Sequence, residues 1–290
     1  MLSLPRRQRH QAGRHALVDG IPFVLPIDST DVSALMAGFT VDADRARQLL
    51  PGNELHPVRL LRNRGLLIVT VVDYRATDIG KYIEFSVAIA CTHGRRAAPP
   101  LLPGLLQRPF GTGQYVIDLP VSTEISVKGG KGIWGMPKHQ ANLDFVAGEQ
   151  QVSSQYDLDG HLAVRIEIDR PRQLRLPLDV AGTNYCQFRG MMMKSSVYFT
   201  GGMHLAVGRR ASARLTLGDH PRADPLRDLG TAESPLFTAY LPAARGVLDD
   251  HFEGWFLSYE QPPATEPEGL KSVVDLGLSQ EWLDPPKVGR

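Results

Sequence analysis

Glycine and proline cut this chain into short pieces: 28 Gly and 22 Pro are spread over 290 residues, and few runs between them could sustain a helix. In a helix interior Gly costs about 1 kcal/mol and Pro about 3 kcal/mol relative to Ala, so punctuation of this density favours strands joined by turns. Residues 66–74 and 82–91 are rich in Val, Leu and Ile, and residues 115–127 mix β-branched with polar side chains, which suits half-buried strands. Residues 142–146, 152–158 and 162–168 follow at close spacing. Asp159-Gly160 separates the last two with hairpin-type turn residues, so antiparallel neighbours are expected there. Residues 185–188, 194–200, 205–207, 211–217 and 237–241 continue the strand-like series. Helix signals are confined to residues 42–50, where Asp42 can cap and Pro51-Gly52 ends the pattern, and to a short stretch near residues 225–229. The expected fold is mainly β (α+β), antiparallel, with a few short helices. One domain over residues 21–260 is expected, preceded by a flexible basic arm (residues 1–20) and followed by a Pro-rich extension (residues 261–290).

The charges balance, 32 Lys and Arg against 31 Asp and Glu. Without a clustered basic excess there is no field to attract nucleic acid or an anionic membrane, and neither partner is expected. Arg6, Arg7, Arg9 and Arg14 make the N-terminal segment basic, but it lacks the apolar stretch of a signal peptide, and no later run is long enough to span a bilayer. A cytoplasmic protein is the expectation. Cys91 and Cys186 are the two cysteines, with no CxxC and no Cys/His spacing suited to zinc, so neither a disulfide framework nor a metal site is expected. Cys91 ends an apolar run and reads as a small buried hydrophobe.

The most informative stretch is residues 128–139, read as a glycine-rich turn ending in Trp134-Gly135-Met136-Pro137-Lys138-His139. Gly130, Gly132 and Gly135 match the G-x-G-x-x-G dinucleotide pattern, which requires a helix opening directly behind the glycines to meet a pyrophosphate. Pro137 instead restricts Met136 to extended conformations, and a strand-like run follows. The glycines therefore read as permitting a tight backbone path. What remains is a lysine directly behind proline, preceded by Trp134 and Met136. A lysine attacks carbonyls only as the neutral amine, so near pH 7 it must be desolvated or placed beside another cation to depart from its ordinary value of about 10.4. On spacing alone Lys138 reads equally as a surface lysine after a turn, and Trp134 and Met136 as core residues.

This segment resembles the acetoacetate decarboxylase family, in which a glycine-containing loop leads into a Pro-Lys pair whose lysine forms the Schiff base. The likeness runs back to Gly113-Gln114-Tyr115-Val116 and includes the acidic Glu124. Gly80-Lys81-Tyr82-Ile83-Glu84 is similar to the family's Gly-x-Tyr-x-Glu segment, whose glutamate lies in the active-site pocket. Residues 39–51, Asn184-Tyr185, Asp219-His220 and Pro225-Leu226 extend the resemblance over most of residues 38–248.

The resemblance implies an antiparallel β barrel or cone-like sheet, Lys138 and Glu84 as catalytic residues, and Tyr82, Trp134, Met136 and His139 as substrate contacts. It also implies a small keto acid as substrate, no cofactor, and a homo-oligomer. Three departures bear on chemistry. His139 stands where the family's decarboxylases carry a second lysine, Val69 where they carry an acidic residue, and Val32 where an arginine faces the substrate carboxylate. The altered pocket brings in a second possibility, the aldol and dehydration chemistry that other members perform on pyruvoyl compounds with the same lysine. A third is a non-catalytic binding protein on the same scaffold, its lysine pairing with a ligand carboxylate.

Overall fold

The computed structural model describes residues 14–172, 174–188 and 190–261. The chain opens with β1 (Arg14–Val18), β2 (Ile21–Leu25) and the long β3 (Ile27–Asp42), then α1 (Ala43–Gln48) and β4 (Leu55–Pro57). Next come β5 (Arg64–Thr77), β6 (Tyr82–His93), α2 (Leu102–Leu105), β7 (Gly113–Val121), α3 (Glu124–Trp134) and β8 (Lys138–Gln140). Two-residue strands β9 (Asn142–Leu143) and β10 (Val146–Ala147) lead to β11 (Gln151–Leu158) and β12 (His161–Asp169). The remainder is β13 (Leu174–Phe188), β14 (Met191–Val207), β15 (Ala213–Leu217), α4 (Asp224–Arg227) and β16 (Phe237–Phe256).

Seven strands close on themselves in the order β6-β5-β3-β16-β14-β13-β7, with β7 returning to β6, while β4 extends β6 and β8 extends β7. Neighbours are antiparallel except at β7–β13 and β7–β8. A closed barrel leaves no row of unpaired backbone groups along its wall. A smaller sheet, β10-β11-β12-β15 with β9 beside β11, covers part of the outside. The two-residue alternation of strands divides the side chains between these layers. Leu67, Val69 and Val71 of β5 and Phe85, Val87 and Ile89 of β6 point outward and pack with Val152, Tyr156, Val164, Ile166 and Ile168 of the smaller sheet. Ile68, Thr70 and Val72, with Tyr82, Glu84 and Ser86, point inward.

The two helix signals form helices. Asp42 accepts hydrogen bonds from the backbone N–H groups of Asp44 and Arg45 at the start of α1, and α4 covers the region of the second. The Asp159-Gly160 turn joins β11 to β12 with both residues at positive φ, as a two-residue hairpin requires. Strand lengths differ from expectation. β13, β14 and β16 are each longer than the expected strands and run through Pro177, Gly201-Gly202 and Pro242. Register shifts between Gly201 and His204 and between Leu241 and Ala244 absorb the misfits as bulges. The expected strand over residues 115–127 ends at Val121 and gives way to α3.

Of the expected N-terminal arm, residues 1–13 lie outside the described residues, while Arg14–Val18 pair with β2 in a hairpin that packs on α3. The 261–290 extension lies outside them apart from Gln261. No described helix is long and apolar enough to cross a membrane.

Leu67 is fully buried between the barrel and the smaller sheet. Leu67→Ala should lower the unfolding free energy by about 2–5 kcal/mol, measured from the urea midpoint at unchanged slope.

Candidate active site

Helix α3 contains Gly129, Gly130 and Gly132, a composition that disfavours a helix in isolation. Tertiary contacts explain it. A Cβ on Gly129 would come within 2.8 Å of the Phe23 ring, and one on Gly132 within 2.6 Å of the Val18 side chain, so both allow the β1–β2 hairpin to lie against the helix. A Cβ on Gly130 would come within 2.7 Å of Lys138 Cε and closer still to Cδ, so this glycine makes room for the lysine stem. Gly135, at φ +66°, ends the helix in the left-handed region, its N–H donating to the Lys131 carbonyl oxygen. Pro137 then starts an extended path, and β8 pairs beside β7 with Lys138 opposite Leu119.

Lys138 is 3% exposed, its Nζ 2.7 Å from Glu84 Oε2 and donating a 3.0 Å hydrogen bond to Ser126 Oγ. Nζ also lies 5.4 Å from the centre of the Tyr82 ring, which stacks on Tyr74 at 4.4 Å. The hydroxyls of Ser126 and Tyr74 are the polar neighbours of the Tyr82 hydroxyl. Lysine, serine and two phenols thus form a polar cluster within an apolar wall. Burial, reinforced by the Glu84 charge, pushes both phenols well above the usual tyrosine value, which keeps them protonated.

Lys138, Glu84, Tyr82 and Tyr74 border a cavity of about 370 Å³ inside the barrel. Among the described residues, Lys138 and Glu84 are the charged groups that line it, with Ile27, Met36, Ile68, Val72, Val197 and Phe199 among its apolar walls. Gln114 and Asn184 also line it and are joined by a 2.9 Å hydrogen bond. No group of three or more His, Cys, Asp or Glu among the described residues is arranged to hold a metal ion.

Four of the six expected site residues, Lys138, Glu84, Tyr82 and Met136, line the cavity. Trp134 and His139 do not, which corrects their assignment as substrate contacts. Trp134 is buried with Phe23 and Leu25, and its indole N–H donates to the Asp249 carbonyl oxygen at 2.8 Å. His139 follows Lys138 on a strand, so alternation turns it to the opposite face. There its Nε2 donates to Asp118 Oδ1 at 2.8 Å, in a cluster where Arg222 (2.9 Å) and the Tyr156 hydroxyl (2.6 Å) also donate to Asp118.

Val69 and Val32, where the family's decarboxylases carry an acidic residue and an arginine, also lie off the cavity lining. Val69 points into the layer between the sheets, and the residue paired with Glu84 on β5 is Val72. Val32 is buried against Tyr74 and Tyr82, and β3 presents Ile27, Ser29 and Met36 to the cavity instead. Neither valine therefore stands at the cavity surface. Ser126, Tyr74 and Thr70 escaped the sequence reading. Ser126 and Gly130 share a face at helical spacing, a signal visible only once residues 124–134 are known to be a helix.

Fold and site together define a β-barrel protein that encloses a buried lysine–carboxylate pair beside an apolar chamber. Residues 10–245 match the acetoacetate decarboxylase (ADC) family, and the chain belongs to it. Among solved structures it resembles acetoacetate decarboxylase from Legionella pneumophila, with a TM-score of 0.58 and 13% identity over 79% of this chain and 87% of that one. It also resembles the enduracididine biosynthesis enzyme MppR complexed with pyruvate, with a TM-score of 0.57 and 17% identity over 80% of this chain and 90% of that one. At such identities the likeness to these structures speaks for the fold alone. No curated protein matches significantly.

Because the folded-state values of Tyr74 and Tyr82 are raised, folding holds their protons where the unfolded chain would release them. The stabilisation is complete below the unfolded value of about 10 and declines as pH climbs beyond it. Tyrosinate absorbance in an alkaline titration should therefore lag that of the denatured protein and rise together with loss of the folded circular-dichroism signal.

Proposed function

We propose that this protein is a carbon–carbon lyase that forms a Schiff base between Lys138 and a small keto acid, decarboxylating a β-keto acid without a cofactor. The observation that supports this is the position of the amine, buried at the cavity wall with a carboxylate 2.7 Å away. Glu84 accepts a proton from Nζ, and the neutral amine attacks the keto carbon to form a C–N bond. The former carbonyl oxygen leaves as water, giving a protonated imine. The C–C bond to the carboxylate then breaks, its electron pair moves toward the imine nitrogen, and carbon dioxide and an enamine result. Protonation of the enamine carbon by Glu84, followed by addition of water, releases the ketone and frees the lysine. Tyr82 and Ser126 hold the amine in place by the contacts described above.

The apolar wall bears on which bond breaks. Among the described residues no arginine lines the cavity, so a substrate carboxylate there is poorly solvated. A site of that kind favours its conversion to neutral carbon dioxide. With a pyruvoyl compound the same imine instead loses a proton from the adjacent carbon, and the enamine drives aldol and dehydration steps.

Incubation with acetoacetate or pyruvate followed by borohydride should add the corresponding reduced mass to the peptide containing Lys138, and Lys138→Ala should abolish it. Glu84→Gln should slow adduct formation by roughly 10²–10⁴-fold, the usual contribution of a positioned acid–base group. Gly130→Ala, which crowds the lysine stem, should slow it about a hundredfold while the circular-dichroism spectrum stays unchanged. A protein left unmodified by every keto acid tried would instead be a non-catalytic ligand-binding member of the family.

A further inference from the structure

The inward faces of β5 and β6 carry a second polar feature beside the amine site. Thr70 and Ser86 are direct cross-strand partners, and both line the cavity. The Thr70 Oγ1 atom is buried with no hydrogen-bond partner, and Ser86 is 8% exposed. Buried hydroxyls nearly always have a partner, so one left open on a cavity wall is suited to an oxygen of whatever fills the cavity. A hydroxyl both donates and accepts, which fits a carbonyl, hydroxyl or carboxylate oxygen alike.

The register sets where that oxygen lies relative to Glu84, the carboxylate beside the amine. Ser86 is two residues beyond Glu84 on the same strand face, and Thr70 is two residues from Val72, the partner of Glu84. Two strand residues span roughly 7 Å, several carbon–carbon bonds. The C–N bond to Lys138 and the hydrogen bond at the far end take up part of that span, so it is the size of the cavity that argues for a chain longer than that of acetoacetate: about 370 Å³ falls in the range that encloses drug-sized ligands. Much of the remaining wall is apolar, with Met36, Ile68, Val197 and Phe199 contributing.

We propose that Thr70 and Ser86 form a distal oxygen-binding subsite. The substrate is then a keto acid of about six carbons or more, with an apolar middle and an oxygen function several bonds beyond the ketone that Lys138 engages. The proposal rests on the imine reading of Lys138 and adds the substrate class to it.

Borohydride trapping at Lys138 tests it with three probes: acetoacetate, 3-oxooctanoate and 3,7-dioxooctanoate. The concentration giving half-maximal adduct should fall from the first to the second to the third. Thr70→Val should reduce the advantage of the dioxo acid over 3-oxooctanoate by roughly tenfold, the worth of a buried hydrogen bond. Ser86→Ala, a milder change in volume, should reduce it in the same direction. Equal trapping of acetoacetate and the longer acids, or a dioxo preference untouched by both variants, overturns the subsite while leaving the imine intact. Failure to trap any probe overturns the imine reading. The subsite is then judged by melting temperature: a rise with 3,7-dioxooctanoate that Thr70→Val abolishes upholds it, and one that persists in the variant removes it.

Discussion

A lysine and a glutamate face each other at a cavity whose lining is otherwise uncharged among the described residues, and the local architecture follows from what it takes to keep them there. Unpaired charge in such a place is strongly unfavourable, so the two must meet at hydrogen-bond distance. They come from strands that do not touch. Glu84 is on β6, Lys138 on β8, and β7 lies between them, with Val121 opposite Glu84 and Leu119 opposite Lys138. Two inter-strand spacings and a two-residue offset along β7 separate the backbones by roughly 12 Å, a gap the long lysine stem and the glutamate side chain cross together. The crossing passes over α3, which is why the helix residue beside the stem is Gly130 and why Ser126, one turn earlier, receives a hydrogen bond from Nζ.

The reverse side of the same strands carries a complementary arrangement. Asp118 on β7 accepts from His139 on β8, from Tyr156 of the smaller sheet and from Arg222 near α4. A buried carboxylate with three donors is well satisfied. It ties the short strand β8, only three residues long, to a second layer of the protein. Because adjacent residues of a strand face opposite ways, the residue after the cavity lysine becomes part of this anchor rather than of the cavity. The substitution of histidine for the second lysine of the family's decarboxylases thus falls on a structural network as this chain is folded.

Several features were legible from the residues in order. The capped helix after Asp42 depends on bonds within three residues, and the Asp159-Gly160 hairpin on two positive φ angles, so local chemistry suffices for both. The strands over residues 66–74 and 82–91 announced themselves through β-branched composition. What misled the reading was punctuation. Gly201-Gly202 and Pro242 read as strand ends, but in the barrel they sit where long strands slip register, and Pro177 lies within β13 opposite Gly202. The glycines of residues 129–132 misled it in the opposite sense, looking like a turn because their intrinsic helix propensity is poor. The neighbours that require them, Phe23, Lys138 and Val18, are not adjacent in sequence.

By itself the sequence determined the β-rich, turn-punctuated character of the chain, its two short helices, and, through the Pro137-Lys138 and Gly-x-Tyr-x-Glu segments, the pair of residues to watch. The tertiary structure alone decided that residues 124–134 are a helix, that Ser126 meets the Lys138 amine, that Tyr74 and Thr70 line the cavity, and that Trp134, His139, Val69 and Val32 do not. The physical reason is one of range. Caps, turns and alternation are settled by neighbours a few residues away. Which face of a strand becomes the inside of a barrel depends on closure between strands from opposite ends of the chain.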